Sequence, residues 1–420
     1  MSRRIIIVGG GAAGTLVAAH LARLAARTTE IVVIEPRLRL GEGVAYSTTS
    51  DRHLLNVPAG GMSAFTDDAQ HFARWSSVNV DSFVPRHTYA RYLRETLESQ
   101  IKANPNVSLR HVQQPARRIT TSPLGVTAGE EDVQGDAVVI ALGNSAPTCP
   151  DWVHALDASR VVRDPWETGA LERIPSGARV LCVGTGLTFV DVAITLAARS
   201  CSVTAISRHG LLPTVHAPVG TVPTVSTSTV LVPTVPASFS KPGDVTRWLR
   251  LQPDWRAAFA AIRPETQQLW RSFGDAEQRQ FLRHARRYWD VHRHRMAPEV
   301  ARLLDDHIAR GSVRIRRGSV QDLAESHEFD FVVLCTGPDD TAALSRPPLS
   351  SLVAVGQARP GPHGMGVDTD ADTGQLLSAS GELVPGTYAI GSLRRGTLWE
   401  STAIPEIRSE ARRLAALLVV

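Results

Sequence analysis

Ile5-Ile6-Ile7-Val8-Gly9-Gly10-Gly11-Ala12-Ala13-Gly14 is the stretch of sequence that decides the fold. Its apolar half has the length of a buried strand, and a helix-forming segment follows the glycines. Gly9 allows a tight turn, Gly11 lets the backbone approach a pyrophosphate at the positive end of the helix, and Gly14 lets helix and strand pack closely. The pattern predicts a dinucleotide site, and a glycine-rich turn without a ligand is the simpler alternative.

An acidic residue follows at the distance that a nucleotide site requires. Glu35, with Pro36 beside it, ends the apolar run Ile31 to Ile34 and lies 21 residues after Gly14. A carboxylate in this place can accept hydrogen bonds from the adenosine ribose of a dinucleotide that has no 2′-phosphate. Glu35 therefore favours a nucleotide site at this turn, and either FAD or NAD could occupy it.

A second glycine turn follows the apolar run Val180 to Val183, with the sequence Gly184-Thr185-Gly186-Leu187-Thr188-Phe189. Phe189 stands where a third glycine would be, which weakens the match. The next strand ends in Ser207-Arg208-His209 instead of an acid. Arg208 could pair with a 2′-phosphate, so we predict NADPH in preference to NADH at this turn. An exposed arginine without a ligand is the alternative.

Apolar runs that end in glycine define the architecture. Besides the two turns, Ala141-Leu142-Gly143 and Cys335-Thr336-Gly337 end further strands and are expected to lie where the domains cross over. The pattern predicts an α/β fold of two Rossmann-like dinucleotide-binding domains with a helical insertion. We expect an FAD domain at 1–165 and 340–420 and an NAD(P) domain at 166–339, with a Pro/Thr/Val-rich loop and a helical insertion at 211–310.

Composition excludes several classes of function. The 45 Lys and Arg nearly balance the 41 Asp and Glu, so nucleic acid is not an expected partner. No apolar run approaches the roughly 20 residues of a membrane-spanning helix, and a cytoplasmic location is the default expectation. The four cysteines form no C-x-x-C pair, which argues against a structural zinc site and against a disulfide reductase.

Further motifs lie outside the two turns. They are Gly41-Glu42-Gly43-Val44-Ala45-Tyr46-Ser47, His53-Leu54-Leu55-Asn56-Val57-Pro58, Met62-Ser63-Ala64, Trp289 to Pro298, and the long segment Tyr388 to Arg408. With these motifs the sequence resembles a family of bacterial FAD/NAD(P)-binding proteins that is distantly similar to flavin-containing monooxygenases and N-hydroxylating flavoenzymes. The resemblance spans nearly the whole chain and implies FAD at the first turn and NADPH at the second.

The resemblance also implies a set of cofactor residues. For FAD these are Gly9, Gly11, Ala12, Ala13, Gly14, Glu35, Pro36, Gly43, Val44, Ala45, Asn56, Val57, Met62, Ala141, Gly143, Gly391, Ser392, Trp399, Glu400, Thr402, Ala403 and Ile404. For NADP they are Gly184, Thr185, Gly186, Leu187, Thr188, Ser207, Arg208, His209 and Gly337. Related flavoproteins carry Gly-Asp where this chain has Gly391-Ser392, so that contact must be weaker or made by backbone amides.

The last helix has a predicted electrostatic role. Thr402 to Leu417 is expected to be helical, with its amino end towards the flavin. Backbone amides there could stabilise negative charge on the reduced flavin. An ordinary packing helix is the alternative.

No motif identifies a catalytic residue with certainty. His53, Asn56 and Met62 are candidates because this region lies near the flavin ring in the proteins that the chain resembles, and a buried turn is the alternative for Asn56. His292, His294 and Arg295 are substrate candidates within the basic stretch Arg279 to Arg295. That stretch is either a solvated helix face, a pocket for an anionic group or, least favoured, a nucleic-acid surface. We expect no metal site there.

The function expected from the sequence is that of an NADPH-dependent flavin monooxygenase. NADPH would reduce FAD, molecular oxygen would add at flavin C4a, and the peroxide would oxygenate a nucleophilic nitrogen, sulfur or carbon of a small, and in one interpretation anionic, molecule. An FAD-dependent oxidase or dehydrogenase with a vestigial NADP fold is the first alternative. A non-catalytic flavin module that senses redox state or holds a partner is the second.

Overall fold

The computed structural model describes residues 2–217, 233–236, 238–321 and 328–420. Most of the predicted Pro/Thr/Val-rich loop lies outside these residues. Within them, every helix is too short or too polar to cross a membrane.

The first domain is built on a six-stranded sheet. Its strands, from one edge to the other, are Gln375–Leu377, Leu383–Ala389, Ala137–Ile140, Arg3–Val8, Thr29–Ile34 and Val107–Val112. All neighbours run parallel except the first pair. Arg3–Val8 lies inside the sheet and is covered on both faces, which explains why Ile5 to Val8 form a continuous apolar run.

Helices cover one face of this sheet, and a small antiparallel sheet with a short helix covers the other. The first group is Ala12–Leu24, Arg86–Ala103 and Ile404–Leu418, here called the C-terminal helix. The second group is Ala116–Thr121, Leu124–Ala128, Glu131–Gln134 and Leu349–Ala354. The C-terminal helix packs on the helix that follows the first glycine turn, so the end of the chain returns to its beginning.

The second domain has a five-stranded parallel sheet. Its order is Val313–Arg317, Ser202–Ser207, Arg179–Val183, Phe331–Leu334 and Val161–Val162. Val161–Val162 pairs with Phe331–Leu334, so the second sheet recruits residues that precede position 166. The helices Leu187–Ala197 and Pro298–Ala309 share its core, which makes Pro298–Ala309 the crossover helix of this domain.

The helical insertion, residues 242–293, separates Ser202–Ser207 from that crossover helix. Its members are Pro242–Leu251, Trp255–Ile262, Arg263–Glu265, Thr266–Ser272, Asp275–Gln280, the π-helical turn Phe281–Ala285, and Arg286–Arg293. Leu282 and Ala285 lie in the π-helical turn, and Trp289 lies in the helix that follows it. Met296 lies beyond the helix end and forms an isolated bridge with Val215.

The remaining elements are short. They are Gly43–Tyr46, Ala59–Gly61, His71–Ser76, Asp151–Ala155, Ala158–Arg160, Ala342–Ser345, Pro362–Gly364 and Gly391–Arg394.

A buried ion pair joins the two domains. The guanidinium of Arg86, from the first domain, lies 2.7 Å from a carboxylate oxygen of Asp191, from the second. Burial raises the pKa of Asp191, and Arg86 opposes this shift. Beside this pair, His53 bonds through one ring nitrogen to Thr48 and through the other to Thr195 of the second domain. Together these contacts fix the position of one nucleotide fold relative to the other.

Buried His20 should make the first domain sensitive to acid. Its Nε2 lies 3.0 Å from the carbonyl oxygen of Ala64, and burial lowers its pKa from 6.5 to about 4. The unfolded chain therefore takes up a proton at a pH where the folded chain does not, so stability falls as pH falls below 6.5. The free energy of unfolding can be measured in urea at about pH 7.5 and at about pH 4.5. Between these two values it should fall by about 2 to 3 kcal/mol more in the wild type than in His20→Gln. Parallel pH profiles for the two proteins would contradict this assignment.

Candidate functional site

The first glycine turn is held by contacts that leave no room for side chains. Gly9 has a φ of +105°, and a Cβ atom on it would overlap the carbonyl oxygen of Ala141. A Cβ atom on Gly14 would overlap the carbonyl oxygen of Gly9. The helix Ala12–Leu24 therefore starts as close to the strand as backbone atoms permit, with its first amides at the carboxyl edge of the sheet.

Glu35 stabilises the conformation of this turn through hydrogen bonds. Its side chain is buried, and one carboxylate oxygen accepts a 2.8 Å hydrogen bond from the amide of Gly10. The other oxygen accepts a 3.1 Å bond from the amide of Arg37. Glu35 thus fixes the glycine backbone, and its contact with a ribose stays a prediction.

Segments distant in sequence converge on the same turn. A Cβ atom on Gly11 would lie 3.4 Å from the Cα atom of Gly43, and one on Gly391 would lie 3.6 Å from the Cβ atom of Ala13. The amide of Gly391 is bonded to buried Glu410 at 3.1 Å. The sequence motifs around positions 9, 43 and 391 are therefore parts of one site.

This site has polar groups suited to a dinucleotide. The hydroxyl of Ser392 is buried without a hydrogen-bond partner among the described residues, and so is that of Ser401. Ala403 precedes the C-terminal helix without capping it by its side chain. Pro405 has no amide hydrogen, and the amide of Glu406 bonds to the carbonyl oxygen of Ala403, so the amide of Ile404 is the donor that this helix end offers. Two helix amino ends, two unpaired hydroxyls and a glycine backbone fit the pyrophosphate and polar chain of FAD.

The three catalytic candidates, His53, Asn56 and Met62, differ in burial and in hydrogen bonding. Met62 is only 2% exposed and belongs to the core of the first domain. His53 is occupied at both ring nitrogens, as described above, and burial lowers its pKa. Asn56 is half-buried, and its backbone carbonyl lies 3.1 Å from the ring of His216. Of the predicted FAD residues in this region, Val44 is exposed.

The second glycine turn repeats the geometry of the first. Gly184 has a φ of +112°, and a Cβ atom on it would overlap the carbonyl oxygen of Cys335. This matches the first turn, where a Cβ atom on Gly9 would overlap the carbonyl oxygen of Ala141. Gly186 faces open space, since a Cβ atom on it would have no neighbour within 4 Å. Phe189 is fully buried in the core of the second domain, so the residue that replaces the third glycine packs behind the turn.

Hydroxyl groups fix the loop beside this turn. The Thr185 hydroxyl donates to the carbonyl oxygen of Leu211 at 2.6 Å and lies 2.9 Å from the hydroxyl of Ser207. Ser207 also accepts a 2.9 Å bond from the amide of Gly210. Thr185 and Ser207 therefore shape the loop that carries Arg208 and His209.

A basic cluster surrounds the end of that strand. Burial and then the charges of Arg287, Arg317 and Arg208 lower the pKa of His209. Arg317 is the register partner of Ser207 on the neighbouring strand, and Arg287 comes from the helical insertion. None of these three arginines forms an ion pair with a residue that the structure describes. Sequence spacing had indicated only Arg208.

The substrate candidates divide between a cavity and a buried basic region. The ring of His292 stacks on Phe259 with centroids 5.7 Å apart, and both line a cavity of about 710 Å³ within the insertion. Burial lowers the pKa of His294 to about 4 and that of Arg295 to about 10, and neither lines this cavity. Across the described ranges, no group of His, Cys, Asp or Glu is arranged to hold a metal ion.

Glu400 ties the insertion to the C-terminal loop, residues 391–403. Its carboxylate accepts a 3.0 Å bond from the indole of Trp289 and pairs with Arg293 at 3.1 Å. Arg293 also reaches Glu406, which receives two bonds from Arg263. Glu400, predicted to contact FAD, is thus already bonded to side chains of the insertion.

Comparison with known proteins agrees with this geometry. Residues 6–145, one third of the chain, match the model of a family described as FAD-NAD(P)-binding, so this region is similar to an FAD-NAD(P)-binding domain. The sequence has no match among curated proteins.

Solved structures share the fold along the whole chain. An ornithine hydroxylase from Pseudomonas aeruginosa aligns over 100% of this chain and 99% of its own, with 16% identity and a TM-score of 0.59. A bacillithiol disulfide reductase from Bacillus cereus aligns over 100% and 99%, with 13% identity and a TM-score of 0.57. A flavin monooxygenase from Stenotrophomonas maltophilia aligns over 100% and 98%, with 16% identity and a TM-score of 0.53. These likenesses confirm the predicted fold of two Rossmann-like domains.

Gly186→Ala should separate nucleotide binding from folding. Because the position has an ordinary backbone conformation and open space, the variant should keep the wild-type Tm and flavin content. The added methyl group would occupy the space through which a pyrophosphate approaches the backbone, so the Kd for NADPH should rise about tenfold or more. Gly243→Ala, which also has open space, is the control. Unchanged NADPH affinity in Gly186→Ala would show that the nucleotide does not bind at this turn.

Proposed function

We propose that the protein is an NADPH-dependent flavin monooxygenase that acts on a small molecule. The observation that carries this proposal is the basic cluster Arg208, Arg287 and Arg317 at the second glycine turn. Three arginines without acidic partners repel one another, and a bound phosphate at the position of a ribose 2′ substituent would offset this repulsion. We would not expect such a cluster in a nucleotide site that had lost its function.

The first site has the residues to retain FAD. The amides that follow Gly11 would hold the pyrophosphate, Glu35 would keep the turn in shape, and Ser392 would supply a hydroxyl to the polar chain. When bound, FAD accepts a hydride from NADPH and provides the chemistry with oxygen. The amino end of Ile404–Leu418 would stabilise negative charge on the reduced ring.

The second site has the residues to accept a visiting NADPH. Gly186 leaves the backbone accessible to the pyrophosphate. Arg208 begins the loop after the strand Ser202–Ser207, and Arg317 ends the neighbouring strand. A Cβ atom on Gly210 would be 3.4 Å from the Cβ atom of Arg317, so the loop and the neighbouring strand form one surface. Guanidinium groups placed in this way suit a phosphate better than a ribose hydroxyl.

Three of the four cysteines are too buried to take part in disulfide reduction, the activity named for the Bacillus cereus neighbour. Cys182 and Cys335 lie in the core of the second domain, and their mutual hydrogen bond and burial raise the pKa of Cys335 well above its usual value. Cys201 is also buried. A thiol that stays protonated in an apolar core is a poor nucleophile.

An FAD-dependent oxidase or dehydrogenase with a vestigial second fold is the alternative. Phe189 favoured it, because a bulky residue at the third glycine position would disturb a nucleotide turn. Since Phe189 packs entirely into the core and leaves Gly186 open, this objection to NADPH binding is weak.

Arg208→Ala should change the choice of nicotinamide nucleotide. Loss of one charge-assisted contact to the 2′-phosphate costs about 1.5 to 3 kcal/mol, so the KM for NADPH should rise at least about tenfold while that for NADH changes little. Rates of flavin reduction at varied concentrations of NADPH and of NADH give both KM values. Arg314→Ala, an exposed arginine on the strand Val313–Arg317, is the matched control. An equal effect on the two nucleotides would remove Arg208 from the phosphate site.

The reaction of the reduced protein with oxygen tests the oxygenase assignment. After reduction by one equivalent of NADPH and without substrate, rapid mixing with oxygen should return the oxidised flavin spectrum in more than one phase. Hydrogen peroxide should be released only in the last and slowest phase, because the site shields the flavin from water. A single fast phase, in which the flavin is reoxidised and hydrogen peroxide is released together both with and without NADP, would support the oxidase alternative instead.

A further inference from the structure

The helical insertion encloses an aromatic cavity. The cavity has a volume of about 710 Å³, and its walls include Trp255, Phe259, Trp270, Phe281, Trp289 and Trp399. Five of these rings come from the insertion, and Trp399 comes from the C-terminal loop. A cavity of this size is in the range that accommodates a small organic molecule.

The cavity is built against the segment that leads to the flavin site. The indole of Trp270 donates a 2.9 Å hydrogen bond to the carbonyl oxygen of Gly396, and that of Trp289 donates a 3.0 Å bond to Glu400. Trp399 packs on Trp270 with ring centroids 5.2 Å apart. Because the loop already satisfies these two indole N–H groups, the two tryptophans offer the cavity apolar surface instead of free donors.

The fixed charges along the walls are those of two arginines. Arg247, Arg250, His284 and His292 line the cavity, and no Asp, Glu or Lys is among the described residues that do so. A cationic amine would find no carboxylate to pair with inside it. An aromatic ring would find offset or edge-on partners on several sides, and an attached carboxylate could approach an arginine.

We propose that this cavity binds a small molecule that carries an aromatic ring and is neutral or anionic, and that this molecule is the substrate of the reaction. The binding site is independent of the proposed function, but its role as the substrate site depends on it. The chemistry of the walls thereby separates this protein from the ornithine hydroxylase whose fold it shares, since ornithine is aliphatic and carries an amine.

Calorimetric titration of the oxidised holoprotein tests the site without turnover. The probes are indole-3-acetate and tryptamine, which share a ring and differ in charge, and hexanoate, which is anionic without a ring. We expect indole-3-acetate to bind at least about tenfold more tightly than either of the others. Preferential binding of tryptamine, or equal binding of hexanoate, would overturn the assignment, and so would the absence of binding by all three.

Three variants locate the binding. Ala285 lines the cavity, and Ala260 lies exposed on the outer side of the insertion. Ala285→Phe should fill part of the cavity and weaken indole-3-acetate binding about tenfold or more, whereas Ala260→Phe should leave it unchanged. Phe273→Ala removes one half-buried ring from the cavity wall and should also weaken binding. It replaces Ala285→Phe as the test variant if Ala285→Phe folds poorly. Wild-type affinity in a folded Ala285→Phe or Phe273→Ala would place the probe elsewhere.

Turnover distinguishes this inference from the proposed function. With oxygen present, indole-3-acetate or a related aromatic compound should increase NADPH consumption by the wild type and not by Ala285→Phe. If the compounds bind in the cavity but the reduced protein returns to the oxidised state in one fast phase, the monooxygenase proposal fails and the binding site stands. If oxygen reacts as proposed but no aromatic probe binds, the cavity assignment fails alone.

Discussion

The close approach of Gly9 to the carbonyl oxygen of Ala141 is the constraint on which the first nucleotide site depends. A side chain at this position would separate the strands Arg3–Val8 and Ala137–Ile140 at their carboxyl ends, where the following helix must begin. The second domain repeats the contact between Gly184 and Cys335. Since both turns are set by backbone atoms alone, the positions of two helix amino ends follow from the absence of two Cβ atoms.

Buried charges then fix how the parts meet. Arg86 and Asp191 join the domains, and Glu400 joins Arg293 of the insertion to the loop beside the first site. Such pairs add little net stability compared with apolar residues, because each ion loses its hydration, but removal of one partner leaves a buried charge and costs about 3 to 5 kcal/mol. Their effect is to make one arrangement of domains and insertion far more favourable than others.

Local sequence patterns were sufficient to predict the two nucleotide-binding folds. They were insufficient to predict which other residues surround the two sites. Apolar runs that end in glycine predicted both β-α-β units, and a helix follows the first turn directly, as the sequence indicated. The approach of Gly391 to Ala13 was suggested only by resemblance, because it joins opposite ends of the chain. Arg317 could not be identified before the strand order was known, since its neighbour Ser207 is 110 residues away. The aromatic cavity combines rings from several helices whose packing no periodicity encodes.

The two turns differ in how completely the described residues surround them, and this difference supports the proposal of a resident cofactor at the first turn and a visiting one at the second. The amide of Gly10 is bonded by buried Glu35, and Gly391 closes in from the C-terminal side. At the second turn Gly186 faces open space, and the arginines beside it have no acidic partners in the described part of the chain. An enclosed site suits a group that stays bound through many turnovers. An open site with unpaired cations suits a phosphorylated nucleotide that must bind and leave in each cycle, because long-range attraction speeds its arrival without enclosing it.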